Sequence, residues 1–222
     1  IVTIASTVDD SQLVQMAEWN VPIICVAHKS PSKSIPSILF DDAGGAAEAT
    51  RLLLAHDCRQ IAHIRGPKDN FDAEERARGF RDALKTAGIP FEAKREVEGN
   101  FKREGGIRAI RELLERGVSF DAVFAGNDEM AIGAIEELKR RGRNVPREIP
   151  VIGFDDIESA RFVGLSTVRV PTREIGRRAV QLAFEMIDGK QPIGYQILPT
   201  EIVERASTAR GGDAKTLRLD GV

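Results

Sequence analysis

The sequence predicts an α/β protein with parallel sheets flanked by helices, and three observations predict it. Short apolar, β-branched runs alternate with longer stretches of helical period along most of the 222 residues. The helical stretches close on Gly88, Gly117, Gly142 and Gly189, where a left-handed residue belongs just past a helix end. Polar pairs also follow directly on two apolar runs: Asn127-Asp128 after DAVFAG, and Asp155-Asp156 after IPVIGF.

Taken in order, residues 1–5 read as a strand, 10–19 as a helix, 22–27 as a strand and 35–40 as a short extended stretch. A helix runs from about residue 44 to 56, with Asp41 or Asp42 as its N-cap. The pattern is cleaner beyond it. Residues 60–65 form a strand, 72–87 a helix, 92–97 a weaker strand, 102–116 a helix, 120–125 a strand and 128–141 a helix. Residues 149–154 are a strand, 172–187 a helix, and 195–198 and 201–203 terminal strands. From about Ser207 the periodicity is lost, and residues 209–222 read as a disordered tail. Lys139, Arg140 and Arg141 fall in the last turn of their helix, where cations complement its dipole, so they are not read as a DNA patch.

Composition narrows the function. The formal net charge of -2 does not make a basic nucleic-acid platform. No apolar run approaches the roughly 18 residues that a membrane span needs, and Ile1 opens straight into a strand with no signal-peptide pattern. Cys25, inside VPIICVA, reads as a buried thiol, and with Cys58 it makes no metal-ligand spacing. Two cysteines in such a chain point to a reducing, cytoplasmic setting. His28, His56 and His63 have no catalytic or metal spacing, and there is no nucleophile elbow, phosphate loop or dinucleotide fingerprint. The expectation is therefore a non-enzyme without cofactor or metal.

In a parallel α/β sheet, ligands bind beyond the carboxyl ends of the strands. Asn127 and Asp155 are candidates on that ground. The structural alternatives are that Asn127 or Asp128 only caps the next helix, and that Asp155-Asp156 is an exposed turn. Arg76 borders the apolar stripe Ala73, Ala77, Phe80, Leu84, Ala87 in the first turns of its helix, where the dipole disfavours a cation. Either a polar ligand is its partner or it snorkels to solvent, since ion pairs to Asp72 or Glu75 are poorly placed.

These residues lie in recognisable segments. IAHIRGPKDNFDAEERARGFRDALKTAGI, FDAVFAGNDEMAIGAIEELKRRGRNVPREIPVIGFDD, LSTVRVPTREIGRRAV and ILPTEIVERAST follow one another as in LacI/GalR-type transcriptional regulators, and the chain resembles that family from about residue 1 to 208. The resemblance implies a two-lobe, periplasmic-binding-protein-like (type I) fold with a small polar ligand such as a sugar between the lobes. It places residues 1–40 and 171–199 in the first lobe, and 41–170 and 200–208 in the second. It also implies that Arg76, Asn127 and Asp155 hydrogen-bond the ligand and that Phe101 packs on it. Ala27 and Thr172 depart from the polar and aromatic residues some members carry. The resemblance further implies a homodimer and DNA binding through a helix-turn-helix headpiece. Neither that headpiece nor the start of the first lobe is in these residues, so the first lobe is expected to be N-terminally incomplete. A sensing module of another signalling protein and a sugar-binding transport protein are the competing expectations.

Overall fold

The computed structural model describes residues 2–4, 10–19, 22–30 and 32–209, and the chain divides into two compact units. Ile1–Asp41 with Pro171–Thr200 makes the first, and Asp42–Val170 with Glu201–Val222 the second. The first opens with β1 (Val2–Ile4), α1 (Asp10–Ala17), β2 (Ile24–Val26) and β3 (Ser37–Phe40). The second continues through α2 (Asp42–Ala55), β4 (Ile61–Arg65), α3 (Phe71–Thr86), β5 (Glu96–Glu98) and α4 (Arg103–Glu115). It then runs through β6 (Ala122–Ala125), α5 (Asp128–Arg140), β7 (Val151–Ile152), α6 (Glu158–Val163) and β8 (Thr167–Arg169). The chain returns to the first unit for α7 (Thr172–Ile187) and β9 (Tyr195–Leu198), and ends its regular structure in the second with β10 (Glu201–Val203).

In the second unit the strands are parallel in the order β5-β4-β6-β7. The central strands β4 and β6 are buried at every residue, as a parallel sheet covered on both faces requires. Register shows which helices cover which face. His63 pairs with Phe124, so the two share a face, and Phe80 of α3 stacks on His63 with ring centroids 4.6 Å apart. The opposite face presents Ala62, Ile64, Val123 and Ala125 to Ile110 and Leu113 of α4 and to Met130 and Ile135 of α5. The helix α2 packs against α3 so closely that a Cβ on Gly79 would strike the Ala43 carbonyl. The antiparallel pair β8-β10 completes the unit.

The first unit is one parallel sheet, β1-β2-β3-β9. Leu13 of α1 packs with Ile23, Cys25 and Ile35. On α7 the buried residues are Ile175, Ala179 and Leu182, spaced at helical period, and Arg178 Nε donates to Gln196 Oε1 at 2.8 Å. Gln196 therefore faces α7, whereas Tyr195, in register with Ser37 and through it with Cys25, lies on the face that α1 covers.

Several expectations need correction. The strand expected at 92–97 divides into a 3-10 turn, Ala93–Arg95, and the three-residue β5. Only Val151–Ile152 of the run 149–154 is strand. The helix α6 and the strand β8 were not anticipated, because six and three residues are too few to show a period. The helix α2 begins on Asp42 itself, two residues earlier than expected. Gly88, Gly117, Gly142 and Gly189 do sit at positive φ past helix ends. Both cysteines are buried thiols. Arg140 and Arg141 close on the buried Glu137 carboxylate as well as standing near the end of α5, so a side chain and not only the helix dipole holds them. The tail beyond Ala209, and residues 1 and 5 of the first expected strand, lie outside the described residues.

Candidate functional site

The four strands of the second unit's parallel sheet run the same way, so their carboxyl ends meet on one edge of it. Each passes there into a glycine: Gly66 after β4, Gly99 after β5, Gly126 after β6 and Gly153 after β7. Close neighbours account for the small residue. A Cβ on Gly66 would meet the Phe101 ring, and one on Gly153 would meet the Asp128 carboxylate. Polar side chains collect directly above this tier.

Arg76 is buried at its centre. Its Nε donates to Asp42 Oδ1 at 2.7 Å, and Nη1 donates to the Gly126 carbonyl at 2.6 Å and lies 3.3 Å from Asp155 Oδ1. The guanidinium carbon stands 3.8 Å from the centre of the Phe154 ring. This corrects the expectation that a ligand alone could make a cation tolerable here, and it removes the snorkelling alternative. Asp42 and Asp155 are the protein's own counter-charges. Burial works against the Arg76 charge, but Asp155 and Asp42 outweigh it and raise the guanidinium pKa. Burial likewise pushes the Asp42 carboxyl up to about 7 against the pull of Arg76. Burial raises Asp155 too, with Arg76 pulling it back.

Asp155 keeps an open side: its side chain is 33% exposed, against 5% for Arg76. The alternative of a merely exposed turn does not hold, since Asp155 is half-buried and Asp156 buried. Asp155 and Asp156 both have positive φ, 112° and 58°, a conformation other residues hold only under restraint. Asp156 turns inward, where its Oδ2 accepts from Arg169 Nε at 2.7 Å and its Oδ1 from Arg205 Nη2 at 2.5 Å. Burial opposes its charge, but these arginines hold Asp156 below the usual carboxylate range.

Asn127 is the N-cap of α5: its Oδ1 accepts the Met130 N–H at 3.0 Å. Its Nδ2 donates to the Phe101 carbonyl at 2.9 Å, which ties the β6 exit to the β5 exit. An amide carries two N–H donors, so this bond leaves it one more. Phe101 is partly buried at positive φ (61°), with its ring against Gly66. The structure thus brings Arg76 and Asp155 into contact, and Asn127 and Phe101 into contact.

Asp42, Asp128, Phe154 and Thr167 belong to the same cluster, and sequence reasoning missed their roles. Asp42 was visible chiefly as a helix cap, and Asp128 as a cap or as the second residue of the polar pair after DAVFAG. Asp128 is fully buried, and burial pushes its carboxyl up to about 7 although Thr167 and the Ile157 N–H both donate to it. Among the described residues, no group of three or more His, Cys, Asp or Glu side chains is arranged to hold a metal ion.

This geometry has known relatives. A family model described as a periplasmic binding protein-like domain matches residues 50–208. The chain belongs to this family. Transcriptional regulators, some of them of the LacI family, are among the proteins it is similar to. The HTH-type transcriptional regulator CelR of Thermobifida fusca is 34% identical over 181 residues, which are 80% of this chain and 53% of that protein. The solved complex of the regulator CelR with cellobiose superposes with a TM-score of 0.85 at 32% identity, covering 93% of this chain and 64% of that one. A LacI family regulator from Enterococcus faecium, solved with bound ribose, gives a TM-score of 0.83 at 25% identity, covering 94% of this chain and 78% of that one. The chain spans about half the length of the curated CelR protein that it matches. Among the described residues, no helix is long and apolar enough to cross a membrane.

Proposed function

We propose that this chain is the effector-sensing core of a cytoplasmic LacI-type transcriptional repressor, that it binds a sugar, and that it is not an enzyme. The observation that carries the reading is the Arg76–Asp155 pair at the carboxyl ends of the second unit's strands, with the Asp155 carboxylate still open on one side. A guanidinium fork donates, a carboxylate accepts and an amide does both, which is the complement that vicinal hydroxyls need. Asn127 adds its second N–H, and Phe101 offers an apolar surface at the same edge. The two units are the lobes of the sensor, divided near residues 41, 170 and 200. In the parent protein the core pairs as a homodimer and acts on DNA through a helix-turn-helix headpiece, the arrangement that reads paired half-sites.

The test is thermal unfolding and calorimetry against a panel that includes cellobiose and ribose, the sugars bound in the two related structures. A sugar at a hundred times its Kd should stabilise the fold by about 2.7 kcal/mol. Asp155→Ala should weaken its binding by about 1.5–3 kcal/mol, the worth of a hydrogen bond to a charged group. No shift with any sugar, or full affinity in the Asp155 variant, would count against the reading.

A further inference from the structure

Asp128 spends its carboxylate on a turn it does not belong to. The cap of its own helix is supplied by Asn127, so helix capping does not explain a fully buried acid at this position. Its Oδ2 accepts the Ile157 N–H at 2.9 Å, and its Oδ1 accepts the Thr167 hydroxyl at 2.5 Å. Its own backbone N–H donates to the Phe154 carbonyl at 2.8 Å. One residue therefore grips the turn on both sides of Asp155, at 154 and at 157. Gly153 lies against the same carboxylate with no room for a Cβ. From the other side the Asp155 N–H donates to the Val168 carbonyl at 2.8 Å, and the Asp156 N–H to Thr167 Oγ1 at 3.4 Å. Between these grips Asp155 holds a φ of 112°, which non-glycine residues keep only where their surroundings over-determine it.

We propose that Asp128, acting with Thr167, is the positioning residue for Asp155: it imposes the turn that presents the Asp155 carboxylate beside Arg76. The step from Asp155 to a ligand rests on the function proposed above, but the positioning itself does not. An apolar residue would fill this buried space without placing a second acid near Asp155, so the side chain is there for its two hydrogen bonds. Asparagine can reproduce the arrangement, with its oxygen accepting from Ile157 and its amide donating to Thr167 Oγ1. Alanine cannot.

The experiment compares Asp128→Ala, Asp128→Asn, Thr167→Val and Asp155→Ala in the full chain. Crystal structures of Asp128→Ala should show Asp155 relaxed to negative φ, with its carboxylate withdrawn from Arg76. Exchange of the Ile157 amide should quicken at least tenfold, and Asp128→Asn should restore both. If the alanine variant does not fold, Thr167→Val carries the test, with exchange at Asp156 and Ile157 quickened in the same sense. An Asp155 that stays at positive φ beside Arg76 in the alanine or valine variant overturns the proposal, whether or not any sugar binds. With cellobiose as probe, Asp128→Ala and Asp155→Ala should each weaken binding at least tenfold, and the double variant no further. Additive losses would show that Asp128 acts elsewhere. Failure of cellobiose to bind the unaltered chain bears on the sugar reading alone, and the structural arm still decides the positioning.

Discussion

The sheet of the second unit has Phe80, His63 and Phe124 stacked on one face and an aliphatic layer from α4 and α5 on the other. The sheet of the first unit is likewise four parallel strands, yet much apolar surface around it meets solvent. On α7, Val180, Phe184 and Ile187 recur at i, i+4 and i+7 as a second stripe beside the buried one, and Phe184 and Ile187 are 62% and 67% exposed. Tyr195 and Ile197, on the face α1 covers elsewhere, are 52% and 55% exposed. The polar residues differ as well. The second unit buries Asp42, Arg76, Asp128, Glu137 and Asp156 with ion-pair or hydrogen-bond partners, whereas the buried polar residue of the first is Ser37, among those described. One unit thus closes its own core around a charged cluster. The other leaves apolar side chains exposed beside its buried ones.

The sharpest way to break this contrast is to remove an aromatic ring from each unit. Phe124→Ala should cost about 4 kcal/mol, because the ring is fully buried beside His63 and Phe80 and leaves a cavity. Phe184→Ala should change stability by no more than about 0.5 kcal/mol. Urea unfolding of the two variants decides it, and similar losses would mean that the α7 stripe is covered in solution.

Arg76→Ala should come next, at about 3 kcal/mol at pH 7.5, since it strands Asp42 in a buried site. That loss should shrink at pH 6, because the orphaned Asp42 carboxyl takes up a proton. Denaturant midpoints at the two pH values measure this. A pH-independent loss would argue that Arg76 contributes packing on Phe154 more than charge.

A smaller effect follows from the raised carboxyls. An acid whose folded pKa lies above its unfolded value favours folding when protonated, and that contribution fades as pH rises toward the folded pKa. Asp42 and Asp128 both stand at about 7 in the fold against 3.8 as ordinary carboxyls. Stability should therefore rise as pH falls from 8 to 6, by on the order of 1 kcal/mol for each group. Burial also lowers the His63 pKa, an effect that Glu96 partly offsets, and this works the other way below about pH 6.5. Asp128→Asn should flatten the slope above pH 6.5, followed by urea unfolding, and an unchanged slope would discount Asp128 as a titrating group.

The smallest change is expected from Phe184→Glu with Ile187→Glu. Both side chains are exposed, so stability should move by less than about 0.5 kcal/mol. Binding of an apolar dye and any self-association should both fall. A strong destabilisation would show that the stripe is part of the core after all.

Much of the fold was legible in the order of residues because its signals are local. Helical period marked α3, α4, α5 and α7, glycines marked where they stop, and apolar runs marked β4 and β6, all within windows shorter than twenty residues. Asn127, Asp155 and Arg76 stood out as candidates because a polar residue after a strand, or a cation beside an apolar stripe, departs from the local pattern. What tertiary structure alone decided is which charges meet. Arg76 and Asp42 lie 34 residues apart, Arg76 and Gly126 50 apart, and Asp128 and Thr167 39 apart. No periodicity carries such pairings, since the strand order β5-β4-β6-β7 brings chain ends together only after the sheet has formed. The same holds for Asp155 and Asp156. Neighbours in sequence, they separate into an open carboxylate and a buried one through a turn that Asp128, Thr167 and two arginines impose from elsewhere in the chain.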